Sequence, residues 1–130
     1  MAKLILRSYR VNEIVMENKA APETKIQLEF KYGYQVAHKG GNACVGEITL
    51  NIADKNNPGQ FNIKAVLLGY FSIEGEISKE EIHVQSFKDL FPYMRSFIST
   101  ITTNSGMMPI IPPTFNIEDH PVLRMDKNDK

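Results

Sequence analysis

At 130 residues the chain suffices for one domain with a core, and it lies near the size at which self-association adds useful stability. Fifteen basic and fifteen acidic residues cancel, so no net field favours nucleic acid or an anionic membrane. A single cysteine, Cys44, excludes an intramolecular disulfide framework, and no apolar run approaches the length of a membrane span.

The N-terminal MAKLILRSYR has too short an apolar stretch for a signal peptide, so the expected address is the cytoplasm. The first strand, roughly Leu4 to Met16, alternates irregularly, which points to a bulge or an interface. Ile26, Leu28, Phe30, Tyr32, Tyr34 and Val36 then alternate with polar residues, the period of a half-buried strand. Ile48, Leu50 and Ile52 mark a shorter strand, and Phe61 to Ile73 repeat the long pattern. Lys39-Gly40-Gly41-Asn42 and Asn56-Asn57-Pro58-Gly59 supply turn chemistry between them. Such short connections imply antiparallel hairpins.

Ser78 followed by Glu81 reads as a capping box, with Glu80 also favouring the positive end of a helix. Leu90, Met94, Phe97, Ile98 and Ile101 form an apolar stripe at spacings of three and four. Pro92 within it predicts a kink or two segments, and Gly106 a stop. The expected architecture is α+β: a four-stranded antiparallel sheet followed by a long kinked helix. Residues 1–117 make one domain, and 118–130 a short, polar, frayed tail. The apolar faces of the strands, helix and following loop exceed what one layer covers, which argues for an oligomer.

Little in the chain suggests catalysis. His38, His83 and His120 are scattered, without metal-ligand spacing, and Cys44 lacks an activating neighbourhood. No nucleophile elbow or phosphate loop occurs. Glu74 and Glu76 could share one strand face, but a solvated face accounts for them better than an acid/base pair. No enzyme activity, metal or cofactor is expected.

The unusual stretch is the loop after the helix, where Met107, Met108, Ile110 and Ile111 are interleaved with prolines. Surface loops are normally polar. These residues must therefore cover their own helix, meet another subunit, or bind something else. Methionine's flexible, polarisable chain suits a surface that accepts many sequences, and prolines hold a loop extended at little ordering cost.

The order of the motifs adds a resemblance. GYFSIEG (Gly69–Gly75), then LFPYMR (Leu90–Arg95), then PPTFN (Pro112–Asn116), with RSYRVNEIVMEN (Arg7–Asn18) upstream, resembles the SecB family of protein-export chaperones. The likeness spans nearly the whole chain and is most specific in its second half. It implies subunits paired through the first strand as a dimer or dimer of dimers, with long helices between sheets. It also implies a groove that holds unfolded polypeptide without a cofactor, and Phe61, Tyr93, Met107, Met108, Ile110, Ile111 and Phe115 fall where groove residues are expected. Glu13 and Glu17 match two carboxylates with which the family recruits the SecA motor, whereas Lys64 stands at a third such position. The family's second helix is largely missing, with His120-Pro121 interrupting the tail. Three readings follow: a holding chaperone, with protein export as one setting for it, a dedicated chaperone of an antitoxin, or a non-chaperone oligomeric binding protein. None involves nucleic acid or membrane insertion.

Overall fold

The computed structural model describes residues 2–21 and 23–114, together with the backbone of 123–124. Four antiparallel strands, β1 (Lys3–Asn18), β2 (Leu28–Lys39), β3 (Ala43–Asp54) and β4 (Phe61–Glu74), precede one helix, α1 (Lys79–Asn104). A two-residue strand, β5 (Leu123–Arg124), adds to the sheet, whose spatial order is β1-β4-β3-β2-β5. The tail expected to be frayed thus contributes a short parallel pairing, Gly33 with Leu123 and Tyr34 with Arg124.

The irregular alternation of β1 has a definite origin. Pairing with β4 steps from Leu6–Phe71 to Ser8–Tyr70 and from Val11–Leu67 to Glu13–Val66, so Arg7 and Asn12 are each an extra residue. The two bulges return Leu4, Leu6, Tyr9, Val11, Ile14 and Met16 to the face shared with Phe71, Leu67 and Ile63. That face carries α1. Between β2 and β3, a tight loop uses Gly41 and Asn42 at φ of 72° and 64°, the left-handed conformation that glycine and asparagine tolerate best. Asp54 organises the β3–β4 connection, accepting from the Asn56 amide and the Gln60 side chain at 3.1 Å each.

Ser78 caps α1, its Oγ accepting the Glu81 amide at 3.1 Å. The helix is one element through Pro92 rather than two segments. Leu90, Phe91, Met94 and Ile98 anchor it on both sides of the proline by burial against the sheet. A buried polar bridge fixes the helix start: the Tyr34 hydroxyl donates to Ser86 Oγ at 2.5 Å, and Ser86 donates to the His83 carbonyl. Phe97 and Ile101, part of the expected stripe, remain only partly buried at its margin. Glu76 lies beyond the end of β4, where Gly75 turns at φ 82°, so Glu74 and Glu76 do not share a strand face.

Candidate functional site

Because β1 and β2 lie at opposite edges of the four-stranded sheet, residues 19–27 must cross the end of β4 and β3. Two backbone bonds fasten this crossover there, Lys19 N–H to the Gln60 carbonyl and Lys55 N–H to the Gln27 carbonyl, both at 2.7 Å. The C-terminus of α1 reaches the same end. Gly106, at φ 89°, turns the chain out of the helix, with its amide and that of Met107 still bonded to the Thr103 and Thr102 carbonyls.

Three contacts then fix the loop. Thr102 Oγ1 accepts the Ile110 amide at 2.9 Å while donating to the Ile98 carbonyl at 2.8 Å. Arg95 Nε donates to the Pro112 carbonyl at 2.8 Å, and the Tyr32 hydroxyl to the Pro113 carbonyl at 3.4 Å. A helix residue, a guanidinium and a strand phenol therefore hold the backbone, leaving the side chains of Met108 and Ile111 directed to solvent, 83% and 57% exposed.

Between loop and crossover lies a groove of about 760 Å³. Ala20, Ala21 and Thr24 form one side, Met107 to Ile111 the other, and Ile26, Leu28 and Phe30 of the incoming β2 segment complete it. No charged side chain lines it among the described residues. Such a surface removes apolar groups from water without asking a partner for a particular charge or hydrogen-bond pattern.

The residues expected here divide into groups. Met107, Met108, Ile110 and Ile111 come together in the groove, although Ile110 is 6% exposed and serves mainly as an inward anchor. Phe61 is wholly buried, opposite Asn18 at the start of β4, and offers no surface to a partner in this conformation. Tyr93 lies elsewhere, stacked on Tyr9 of β1 with ring centroids 4.4 Å apart. Phe115 lies outside the described residues. Of the two carboxylates, Glu13 is paired with Lys64 at 3.3 Å, and Glu17 accepts from Asn62 at 3.4 Å.

Sequence reading had not assigned the crossover residues or Ile26, Leu28 and Phe30 to this site. The available signal was the alternation of the last three, whose apolar side extends beyond the part of β2 that α1 covers.

Burial is the main cause of the shift at each of the ionisable groups Tyr32, Tyr34 and Cys44. Burial pushes the Tyr32 hydroxyl up to about 12, opposed by the Arg95 guanidinium. Tyr34 is raised further by burial, against the hydrogen bond to Ser86. Burial likewise holds the Cys44 thiol up at about 11, an inert thiol rather than a nucleophile. Among the described residues no group of three His, Cys, Asp or Glu side chains could hold a metal ion, and no helix is long and apolar enough to cross a membrane.

Two comparisons bear on this arrangement. The protein-export protein SecB of Rhodospirillum centenum is 24% identical over 119 residues, covering 83% of this chain and 71% of its own. The SecB-like chaperone Rv1957 of Mycobacterium tuberculosis, solved with a ChAD peptide from the HigA1 antitoxin, superposes with a TM-score of 0.72 at 15% identity, covering 86% of this chain and 89% of its own. No family model matches the sequence. In sequence the chain is similar to SecB, and in fold it is similar to a SecB-like chaperone.

Proposed function

We propose that this protein is an ATP-independent holding chaperone, which binds unfolded or non-native polypeptide in the groove between the crossover and the post-helix loop. The observation that carries the proposal is an uncharged groove whose Met108 and Ile111 stay exposed while the backbone behind them is tied down. Each 100 Å² of client apolar surface buried there contributes about 2.5 kcal/mol before ordering losses. Holding of this kind involves no chemical step, so no enzymatic role is assigned, and release follows refolding or handover. A soluble cytoplasmic setting fits the reading.

The protein would work as a homo-oligomer. Val11 and Ile14 face the helix side of the sheet yet remain exposed, although Tyr93 of α1 stacks on Tyr9 of the same strand. An edge strand of 16 residues with such side chains is suited to pairing with a second copy, as a dimer or dimer of dimers.

One observation favours a dedicated client over general export. Lys64 neutralises Glu13, removing part of the acidic surface through which a SecA-like motor would be recruited. An antitoxin is the fitting client class, since the similar mycobacterial chaperone was solved with an antitoxin peptide. The test is suppression of aggregation of a chemically unfolded model protein. Suppression by the native chain, lost in Met108→Glu/Ile111→Glu with the fold retained, supports holding. Absence of suppression, with these substitutions dissociating the oligomer instead, supports a non-chaperone binding protein.

A further inference from the structure

The methionines among the described residues meet water to very different degrees. Met94 of α1 is wholly buried, and Met16 of β1 is partly buried against the core. Met107 is half-buried, whereas Met108 is the most exposed large apolar side chain among the described residues. Met107 and Met108 stand together on the loop side of the groove. A thioether reacts with a peroxide according to its access to solvent, so sulfur oxidation falls on this side of the groove first. Cys44 does not compete, because its thiol is buried and held in the unreactive neutral form.

The position of the loop does not depend on those sulfurs. Thr102 holds the Ile110 amide, Arg95 the Pro112 carbonyl and Tyr32 the Pro113 carbonyl, while the Ile110 side chain anchors the loop inward. Oxidation therefore changes the chemistry of the groove and leaves its shape. We propose that Met107 and Met108 are a modification site, at which a peroxide converts the thioethers to sulfoxides and releases the client, and reduction restores binding. The proposal rests on the holding function above and assigns its regulation. In the step, a sulfur lone pair attacks one peroxide oxygen, an S–O bond forms and the O–O bond breaks. The leaving hydroxide takes the proton of the transferred hydroxyl and departs as water, so sulfur is oxidised and the peroxide reduced. A thiol-dependent reductase reverses this, the sulfoxide oxygen leaving as water while a pair of thiols becomes a disulfide. Each sulfoxide oxygen is a strong hydrogen-bond acceptor that holds water, and an apolar client segment has no donor with which to replace it.

The test treats the full-length protein with hydrogen peroxide, maps the modified sites by peptide mass spectrometry, and titrates a fluorescent, reduced and carboxymethylated model polypeptide into each sample. Oxygen should be gained at Met108 first and Met107 next, well before Met16 and Met94, with the far-ultraviolet spectrum and melting temperature unchanged. Affinity for the polypeptide should fall roughly tenfold in step with oxidation at these positions, and return on treatment with methionine sulfoxide reductases acting on both epimers. Met107→Leu/Met108→Leu carries apolar side chains of similar volume that peroxide does not oxidise, and it keeps every other methionine. Compared with its own untreated sample, this variant should show no fall. Complete oxidation of Met107 and Met108 without loss of affinity, or an equal fall in the leucine variant, would overturn the switch while leaving the holding function intact. Oxidation of Met94 as fast as Met108 would overturn it as well. Failure of the untreated protein to bind the polypeptide would overturn both.

Discussion

The hydroxyl of Thr102 accepts the amide of Ile110 across eight residues of chain, at 2.9 Å and with Thr102 fully buried. This one bond joins the last turn of α1 to the far end of the apolar loop. It makes the loop a wall rather than a flexible strap. Thr102→Val keeps the shape but leaves the buried Ile110 amide without its acceptor, at a cost of about 1–3 kcal/mol. Urea unfolding should show that loss, and loop amides 107–111 should exchange faster. Thr102→Ser, which retains the hydroxyl, should restore the slow exchange.

Burial separates three apolar loop residues, Met108, Ile110 and Ile111, that look alike in sequence. Met108→Glu and Ile111→Glu place a charge in solvent and should change stability by less than about 0.5 kcal/mol while abolishing client binding. Ile110→Glu instead buries a carboxylate in the core cluster and should cost several kcal/mol. Thermal unfolding beside an aggregation assay distinguishes the two classes. Equal destabilisation by all three would mean that the loop is wholly structural.

The four strands and the helix were legible because their apolar residues repeat at periods of two and 3.6, and because the turns carry glycine, asparagine and proline where the backbone needs them. Register within β1 was not legible, since two bulges shift the period at Arg7 and Asn12 without changing composition. Pro92 argued for a broken helix, yet the burial of Leu90, Phe91, Met94 and Ile98 outweighs the local penalty. The family resemblance puts Phe61 in the groove, whereas here its side chain is wholly buried in the core on the face that α1 covers. The groove itself depends on strand order: its crossover side is formed by Ala20, Ala21 and Thr24, small residues with no periodicity to mark them. Leu123–Arg124 lies in the short stretch Pro121-Val122-Leu123-Arg124-Met125, too brief for a period of two to mark a strand.

Cys44 makes the stability of the fold sensitive to alkali. Its thiol is held neutral by burial, raised from 9.0 to about 11. Between these values the unfolded state loses its proton and the folded state keeps it, so stability is fully present below pH 9 and falls as pH rises toward 11. The loss from this group is on the order of 2 kcal/mol. Cys44→Ala should flatten the decline between pH 9 and 11, measured by urea unfolding at each pH, at the expense of some lower-pH stability through the lost side-chain volume. A thiol reagent at neutral pH should modify Cys44 only at the rate of unfolding.

Gly69 is a point of close approach between the sheet and α1. A β-carbon there would lie 2.8 Å and 3.0 Å from the two Leu90 methyl groups, inside van der Waals contact, and Leu90 is fully buried. Gly69→Ala should therefore cost about 1–3 kcal/mol by forcing Leu90 to move. Gly69→Ala/Leu90→Ala should destabilise by less than the sum of the two single changes, because the smaller helix residue relieves the clash.

Hydrogen exchange of the native protein, with and without a reduced and carboxymethylated model polypeptide, tests the central claim most directly. Binding in the groove predicts added protection concentrated in residues 19–31 and 105–113, with little change elsewhere. Added protection confined to other surfaces, or none at saturating polypeptide, would contradict it.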